Sequence, residues 1–160
     1  AYGITLEFED EALHLLSEQA TLEQTGARSL VSVCERALLK FEKTLPSTEI
    51  KAFSVTREVV ENPEAELQKL LLHWETESFR RKFQEDYEID LQFEREALER
   101  LVEEADEKGV SVSELCHQKF DDYGHGLNLL GEAVFQIGAE AVLNPKAHLD
   151  SLVKSFYSKD

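Results

Sequence analysis

The sequence has few basic residues, only two cysteines and no long apolar run. Lysine and arginine number 17 against 33 aspartates and glutamates, which gives a formal net charge of −16 at pH 7. Nucleic acid and anionic membranes both attract basic patches, so this acidity argues against either partner. The sequence offers no transmembrane span and no signal peptide. We therefore expect a cytoplasmic protein that binds neither nucleic acid nor membrane.

Residues that would carry metal or catalytic chemistry are also scarce. Cys34 and Cys116 fit no metal-ligand spacing, and the five histidines are scattered, so we predict no metal site and no catalytic residue. Cys34 lies on an apolar stripe and is expected to be a buried free thiol. No GxxxxGK[ST] phosphate loop is present, so the chain alone is not expected to hydrolyse ATP. Because it starts at Ala1 and contains no methionine, we expect a fragment of a longer protein.

The clearest positive signal is an amphipathic helix with an arginine in its first turn. Apolar residues recur at spacings of three and four, at Leu30, Val33, Cys34, Ala37, Leu38, Phe41 and Leu45. Thr25 is a candidate N-cap, and Leu45-Pro46 is a candidate stop. Arg28 opposes the helix dipole, at a cost of about 0.3–1 kcal/mol if it is merely solvated. The alternative is that Arg28 and the free N–H groups of the first turn together bind a phosphate.

The motif Thr25-Gly26-Ala27-Arg28, followed by an aliphatic helix and Leu45-Pro46-Ser47, resembles the C-terminal small domain of ClpX-type AAA+ unfoldases. The resemblance covers roughly residues 3–62 and departs from the family at Ser29, where the family has glycine. It implies that Arg28 is the sensor-2 residue, which contacts the nucleotide phosphates, and that Gly26 and Ala27 lie beside it. These three residues are the predicted cofactor-binding site.

The resemblance also implies a function for the whole protein. It would be an ATP-dependent AAA+ unfoldase that uses ATP with Mg²⁺, and this chain would be its regulatory lid region, with no stably bound nucleotide of its own. The expected partners are the large AAA+ domains of the same and the neighbouring subunit in a homo-hexamer, with a possible protease or adaptor. The alternative is a non-catalytic protein–protein interaction or scaffold module that never contacts nucleotide.

The sequence also repeats itself. Ile89 begins a stretch that matches the one from Ile4 at an offset of 89 − 4 = 85, and Asn144-Pro145 echoes Asn62-Pro63 at an offset of 82. This pattern predicts a tandem duplication. We expect a mostly helical α+β fold, with an AAA+ small (lid) domain at residues 1–84 and a degenerate, more helical repeat or accessory module at residues 85–160.

The repeat also carries expectations about single positions. We expect one strand-then-helix unit at residues 4–20 and again at 89–105, with a pairing strand after the first helix pair around Phe53. The aromatic pair of the two strands and two leucine pairs of the following helices should be buried, namely Phe8 with Phe93, Leu13 with Leu98, and Leu16 with Leu101. The second module should lack a counterpart of the Phe53 strand. Gly124-His125-Gly126 should stand opposite the motif that carries Arg28.

Overall fold

The computed structural model describes residues 3–23 and 26–159, in two compact units, Ala1–Leu71 and Leu72–Asp160. The elements of the first unit are β1 (Thr5–Phe8), α1 (Asp10–Glu23), α2 (Ala27–Thr44), a 3-10 turn (Leu45–Ser47), β2 (Ala52–Val55), α3 (Arg57–Glu61) and the start of α4 (Pro63–Tyr87). The boundary between the units falls within α4. The predicted domain boundary after residue 84 stays a prediction.

The second unit contains the rest of α4 and a similar series of elements. These are β3 (Asp90–Phe93), α5 (Arg95–Lys108), α6 (Val112–Phe120), α7 (Tyr123–Leu129), β4 (Val134–Ile137), α8 (Ala139–Leu143) and α9 (Pro145–Tyr157). The fold is α+β and mostly helical, as predicted. In the described part of the chain, no helix is both long and apolar enough to cross a membrane.

Each unit contains one two-stranded parallel sheet with the same register. Leu6 pairs with Phe53 in the first sheet, and Leu91 pairs with Phe135 in the second. The last residue of each second strand, Val55 or Ile137, is fully buried. The strand predicted around Phe53 and the strand-then-helix units at both ends of the 85-residue offset are therefore confirmed.

The prediction that the second module lacks a second strand is wrong, because β4 stands where β2 stands in the first unit. From β2 onward the offset is constant, since 134 − 52, 139 − 57 and 145 − 63 all equal 82. At the same offset, the apolar positions of α2 correspond to apolar positions of α6 and α7. It pairs Val33 with Leu115, Cys34 with Cys116, Leu38 with Phe120, Phe41 with Tyr123, and Leu45 with Leu127. We call positions related by these offsets equivalent.

This register corrects the predicted place of Gly124-His125-Gly126. The offset of 82 puts Tyr123 opposite Phe41, near the end of α2, so the glycine pair does not stand opposite the motif that carries Arg28. Tyr123 is buried, and its hydroxyl donates to the Pro145 carbonyl oxygen at 2.8 Å. The glycines serve packing here: a Cβ on Gly124 would lie 2.4 Å from the Tyr87 ring.

Local signals explain most of the helix ends. The Ser111 hydroxyl oxygen accepts a hydrogen bond from the Glu114 backbone N–H at 3.1 Å and caps α6. The helices α4 and α9 begin at Pro63 and Pro145, the prolines of the repeated Asn-Pro pair, and Asn144 makes no side-chain capping bond. The helix α2 ends at Thr44, directly before the predicted Leu45-Pro46 stop. The predicted cap Thr25 lies outside the described residues.

The core residues agree with the prediction in part. Leu16 and Leu101 are buried at equivalent positions of α1 and α5. The predictions for Phe8 and Leu13 are wrong, because these side chains are 37% and 47% exposed. Their equivalents in the second unit, Phe93 and Leu98, are half-buried.

Candidate functional site

The predicted phosphate contact, Arg28, lies in the first turn of α2. Its side chain is exposed, and the structure shows no ion pair between it and any carboxylate of residues 3–23 or 26–159. No acidic residue lies in this first turn. The positive end of the helix dipole therefore remains without a carboxylate in the turn that carries Arg28.

The backbone before Arg28 has the shape that its glycine allows. Gly26 occupies the N-cap position with φ of 70° and ψ of −144°, and no side chain caps the helix there. A positive φ is strained for residues with a Cβ, which explains the glycine. The Gly26 carbonyl accepts a hydrogen bond from the N–H of Ser29 at 3.1 Å, and Ser29 is buried. Ala27 contributes the first helical residue. The three predicted site residues are thus consecutive at one helix start.

The turn that carries Arg28 has no helical equivalent in the second unit. In the register set by the second strands, α6 begins at a position equivalent to 112 − 82 = 30. The helix α2 starts at Ala27, three residues earlier in that register, and the position equivalent to Arg28 is Val110, which precedes α6. The first unit therefore has an additional, basic helical turn at this point.

A depression that sequence reasoning missed lies beside α2. It has a volume of about 430 Å³ and is lined by Gln19, Leu22, Glu23, Val33, Arg36, Ala37, Val60 and Pro63. Arg36, two turns after Arg28 on α2, forms an ion pair with Glu23 of α1. Arg28 is not one of the lining residues. The depression therefore adds a second arginine to the candidate site, and this arginine is paired with a carboxylate.

In the second unit a lysine fills the equivalent space. Lys119 is equivalent to Ala37, and its Nζ donates to the Val142 carbonyl oxygen at 2.7 Å and pairs with Glu104 at 2.8 Å. Burial raises the pKa of Glu104, but hydrogen bonds from Lys108 and Lys119 outweigh burial and hold that pKa below its ordinary value. Glu104 and Val142 are equivalent to Gln19 and Val60. The difference is visible in the sequence when Glu104 is aligned with Gln19 at the offset of 85 and Lys119 with Ala37 at the offset of 82.

Among the described residues, no metal-binding cluster or reactive thiol competes with this candidate site. In the ranges that the structure describes, no cluster of three or more His, Cys, Asp or Glu could hold a metal ion. Cys116 is fully buried, which raises the pKa of its thiol to about 12, and Cys34 is partly exposed. The stretch from β1 to the end of α2, with its uncompensated basic turn, remains the best candidate.

A family comparison bears on this same stretch. The model of the C-terminal, D2-small domain of ClpB protein matches residues 1–45. Residues 1–45 thus resemble a Clp small domain. The match spans β1, α1 and α2 and includes Arg28, and it supports the C-terminal small domain of a Clp AAA+ ATPase for this part of the chain. The finer resemblance to ClpX, out to about residue 62, stays a prediction. No solved structure gives a significant match.

Proposed function

We propose that the first unit is the nucleotide-sensing lid of an ATP-dependent Clp-type AAA+ unfoldase, with Arg28 as the sensor-2 residue. The observation that carries the proposal is the basic first turn of α2, which lies inside the matched residues 1–45 and is missing from the otherwise similar second unit. A turn that is extra, exposed and basic at a helix start suits an anionic ligand.

The proposal assigns distinct roles to three neighbouring residues. The Arg28 guanidinium would bind a phosphate oxygen, and free N–H groups in the first turn of α2, which begins at Ala27, would add hydrogen bonds to it. Gly26 would give the backbone the positive φ that starts the helix at this point. A hydrogen bond between charged groups contributes about 1.5–3 kcal/mol, enough to bias the angle between two domains. The ligand would be ATP with Mg²⁺, held mainly by a large AAA+ domain.

The remaining parts of the proposal concern the assembly. The lid would pack against large AAA+ domains of its own and of the neighbouring subunit, in a cytoplasmic homo-hexamer. The chain alone would bind ATP weakly and hydrolyse none. We also infer that residues 85–160 are a diverged second copy of residues 1–84. The shared element order, parallel pairing and strand register support this inference.

The experiment is a titration of the 160-residue chain with Mg·ATP, followed by NMR shifts of the backbone amides. We expect shifts at Gly26 and Arg28 with a dissociation constant of about 1 mM or weaker, and loss of roughly tenfold or more in affinity for Arg28→Ala. Arg95→Ala is the matched control, because Arg95 is also a first-turn arginine, exposed at the start of α5. Equal effects of the two substitutions, or none, would contradict the proposal.

The second candidate is an interaction scaffold. The observation that favours it is that the second unit has a complete core and has Val110 at the position equivalent to Arg28. Under this alternative, ATP causes no shift at Gly26 or Arg28 at any concentration. The titration therefore distinguishes the two candidates.

A further inference from the structure

The depression beside α2 contains a backbone acceptor that lacks a donor. Val60 is 7% exposed and lies in the last turn of α3, where carbonyl groups have no donor within the helix. Pro63 follows and has no N–H, and among residues 3–23 and 26–159 no hydrogen bond reaches the Val60 carbonyl oxygen. Leaving a buried acceptor unsatisfied costs about 1–3 kcal/mol. This carbonyl therefore favours a donor that enters the depression from outside.

The second unit shows which donor this place accepts. The helix α8 ends as α3 does: the N–H of the asparagine after each helix donates to the carbonyl four residues earlier, at 3.0 Å and 2.8 Å respectively. The Val142 carbonyl oxygen, equivalent to that of Val60, accepts a hydrogen bond from Lys119 Nζ at 2.7 Å. The Lys119 side chain is only 10% exposed. A lysine ammonium with a buried stem thus fits beside a carbonyl of this kind.

The basic side chains near the depression in the first unit are engaged elsewhere. Arg36 pairs with Glu23 and is 65% exposed, and Lys40 pairs with Glu64 at 2.9 Å. Ala37, which stands where the second unit has its lysine, has no donor to offer. In the described part of the first unit, no side chain therefore donates to the carbonyl at the end of α3.

The other groups that line the depression are suited to a cation. Glu104, which pairs with Lys119 at 2.8 Å, is replaced in the first unit by Gln19, whose side-chain oxygen accepts hydrogen bonds. A carboxylate is present one helical turn further along α1, at Glu23, where the second unit has Lys108. A carbonyl, an amide oxygen and a carboxylate thus line a space of about 430 Å³. A primary ammonium group has three donors for such acceptors.

We propose that the depression beside α2 binds the side chain of a lysine from a partner protein. Its Nζ would donate to the Val60 carbonyl oxygen and to the Gln19 side-chain oxygen, beside the Glu23 carboxylate. Its apolar stem would lie over Ala37, in the volume that the equivalent lysine stem occupies in the second unit. The inference does not depend on the proposed role of Arg28, which does not line the depression.

The test uses n-butylammonium chloride, which has the four carbons and the ammonium of a lysine side chain, added to the full 160-residue chain. We expect NMR shifts at the amides of Ala37 and Glu61, with a dissociation constant of about 1–20 mM. The matched control probe is n-butyltrimethylammonium, which keeps the charge and the stem but has no N–H. It should bind at least about tenfold more weakly, because it cannot donate to the Val60 carbonyl.

A second probe distinguishes a lysine side chain from a free amine. A capped tripeptide with a central lysine should shift the same amides of α2 and α3 as n-butylammonium does. If n-butylammonium bound and this peptide did not, the depression would accept free amines only, and the assignment to a partner's lysine would be wrong.

Three variants of the chain locate the binding. Ala37→Lys should fill the depression with its own side chain and abolish the shifts. Val31→Lys adds the same charge at a 58% exposed position of α2 outside the depression and should leave binding unchanged. Lys119→Ala should open the equivalent space in the second unit, so that n-butylammonium also shifts the amide of Leu143, which follows the Val142 carbonyl. This variant and the two ammonium probes test the proposal even if Ala37→Lys does not fold.

Four results would overturn the proposal. The first is the absence of shifts at about 100 mM n-butylammonium, and the second is equal binding of the two ammonium probes. The third is binding that Ala37→Lys leaves unchanged. The fourth is self-association of the chain that Ala37→Lys removes, since the occupant would then be a second copy of this chain.

Discussion

The two units use one order of elements and differ in what covers and fills them. In the second unit, aromatic residues of α4 cover the sheet, and Lys119 fills the space beside α6. In the first unit, Leu6 and Phe8 are exposed on the strand, and a depression remains where Ala37 replaces the lysine. The second unit is thus closed around its own core. The first unit has open surfaces at the equivalent places, together with the additional basic turn.

The comparison shows that one order of helices and strands can leave equivalent positions buried in one unit and exposed in the other. A side chain that is buried on folding contributes more to stability than an equivalent side chain that stays exposed. Substitutions at equivalent positions should therefore have unequal effects in the two units. Each of the following predictions uses such a pair or a neighbouring control. Hydrogen exchange of core amides reports the stability of each unit separately.

The largest difference is expected at the central strand leucines. Leu91→Ala should lower the free energy of unfolding of the second unit by about 2–5 kcal/mol, because it creates a cavity under the α4 aromatics. Leu6→Ala removes a side chain that is 36% exposed and should cost less than about 1 kcal/mol. Equal losses in hydrogen-exchange protection would show that both strands are equally covered.

The next largest loss of stability is expected when Lys119, which fills the space beside α6, is replaced. Lys119→Met should cost about 1.5–3 kcal/mol, because it leaves the Val142 carbonyl without the charged donor. Lys108→Met is the control: Lys108 pairs with the same carboxylate at 2.6 Å but is 51% exposed, and its loss should cost about 0.5 kcal/mol or less.

The pH dependence of this effect follows from the lowered pKa of Glu104. A depressed folded-state pKa stabilises the fold above the unfolded value of about 4.3, and this contribution is lost as the pH falls through the folded pKa. The difference between Lys119→Met and the parent should therefore shrink in acid. A difference that is constant between neutral pH and about pH 3 would contradict the role of the Glu104 charge.

A smaller effect is expected where the Tyr87 ring meets a glycine. Gly124→Ala places a methyl group against the ring at 2.4 Å and should cost about 1–3 kcal/mol through overpacking. The equivalent substitution in the first unit, Glu42→Ala, shortens an exposed side chain and should change stability by no more than about 0.5 kcal/mol. A tolerated Gly124→Ala would mean that α4 does not pack closely at this point.

The smallest effect distinguishes the two equivalent cysteines. A thiol reagent at neutral pH should label Cys34 and reach Cys116 only on unfolding, since Cys116 is fully buried and burial raises its pKa to about 12. A raised pKa stabilises the fold below the unfolded value of about 8.5. Stability should then fall as the pH rises above that value. Cys116→Ala should reduce this dependence, and equal labelling of both thiols would contradict the burial.

Local sequence signals predicted most of the elements. The strand-then-helix pattern, repeated at an offset of 85, predicted β1 with α1 and β3 with α5, and apolar spacings of three and four predicted α2. These features depend on residues close together in the chain, so the pattern was sufficient. The strand β4 was missed because the glycine pair before it was matched to the wrong motif, which shifted the register.

Burial was harder to predict because it depends on distant residues. Phe8 and Phe93 share a local pattern, yet only Phe93 has aromatic neighbours from α4, at 6.4 Å from Phe79. Prediction of the candidate site was limited in the same way, because part of the site also depends on residues that are distant in the chain. The pattern around Arg28 predicted the basic turn. The depression beside Arg36 was not predicted, because it exists where Ala37 is small and can be recognised only by comparing Ala37 with its equivalent, Lys119.

The most direct test of the account is the location of ATP on the chain. ATP that carries a nitroxide on its γ-phosphate would broaden the amide signals within its reach, even when binding is weak. We predict broadening centred on Gly26 and Arg28, with none at Val110, the equivalent of Arg28 in the second unit, and its loss in Arg28→Ala. Broadening centred on the second unit, or broadening that Arg28→Ala leaves unchanged, would contradict the assignment of the nucleotide-sensing role to the additional turn of α2.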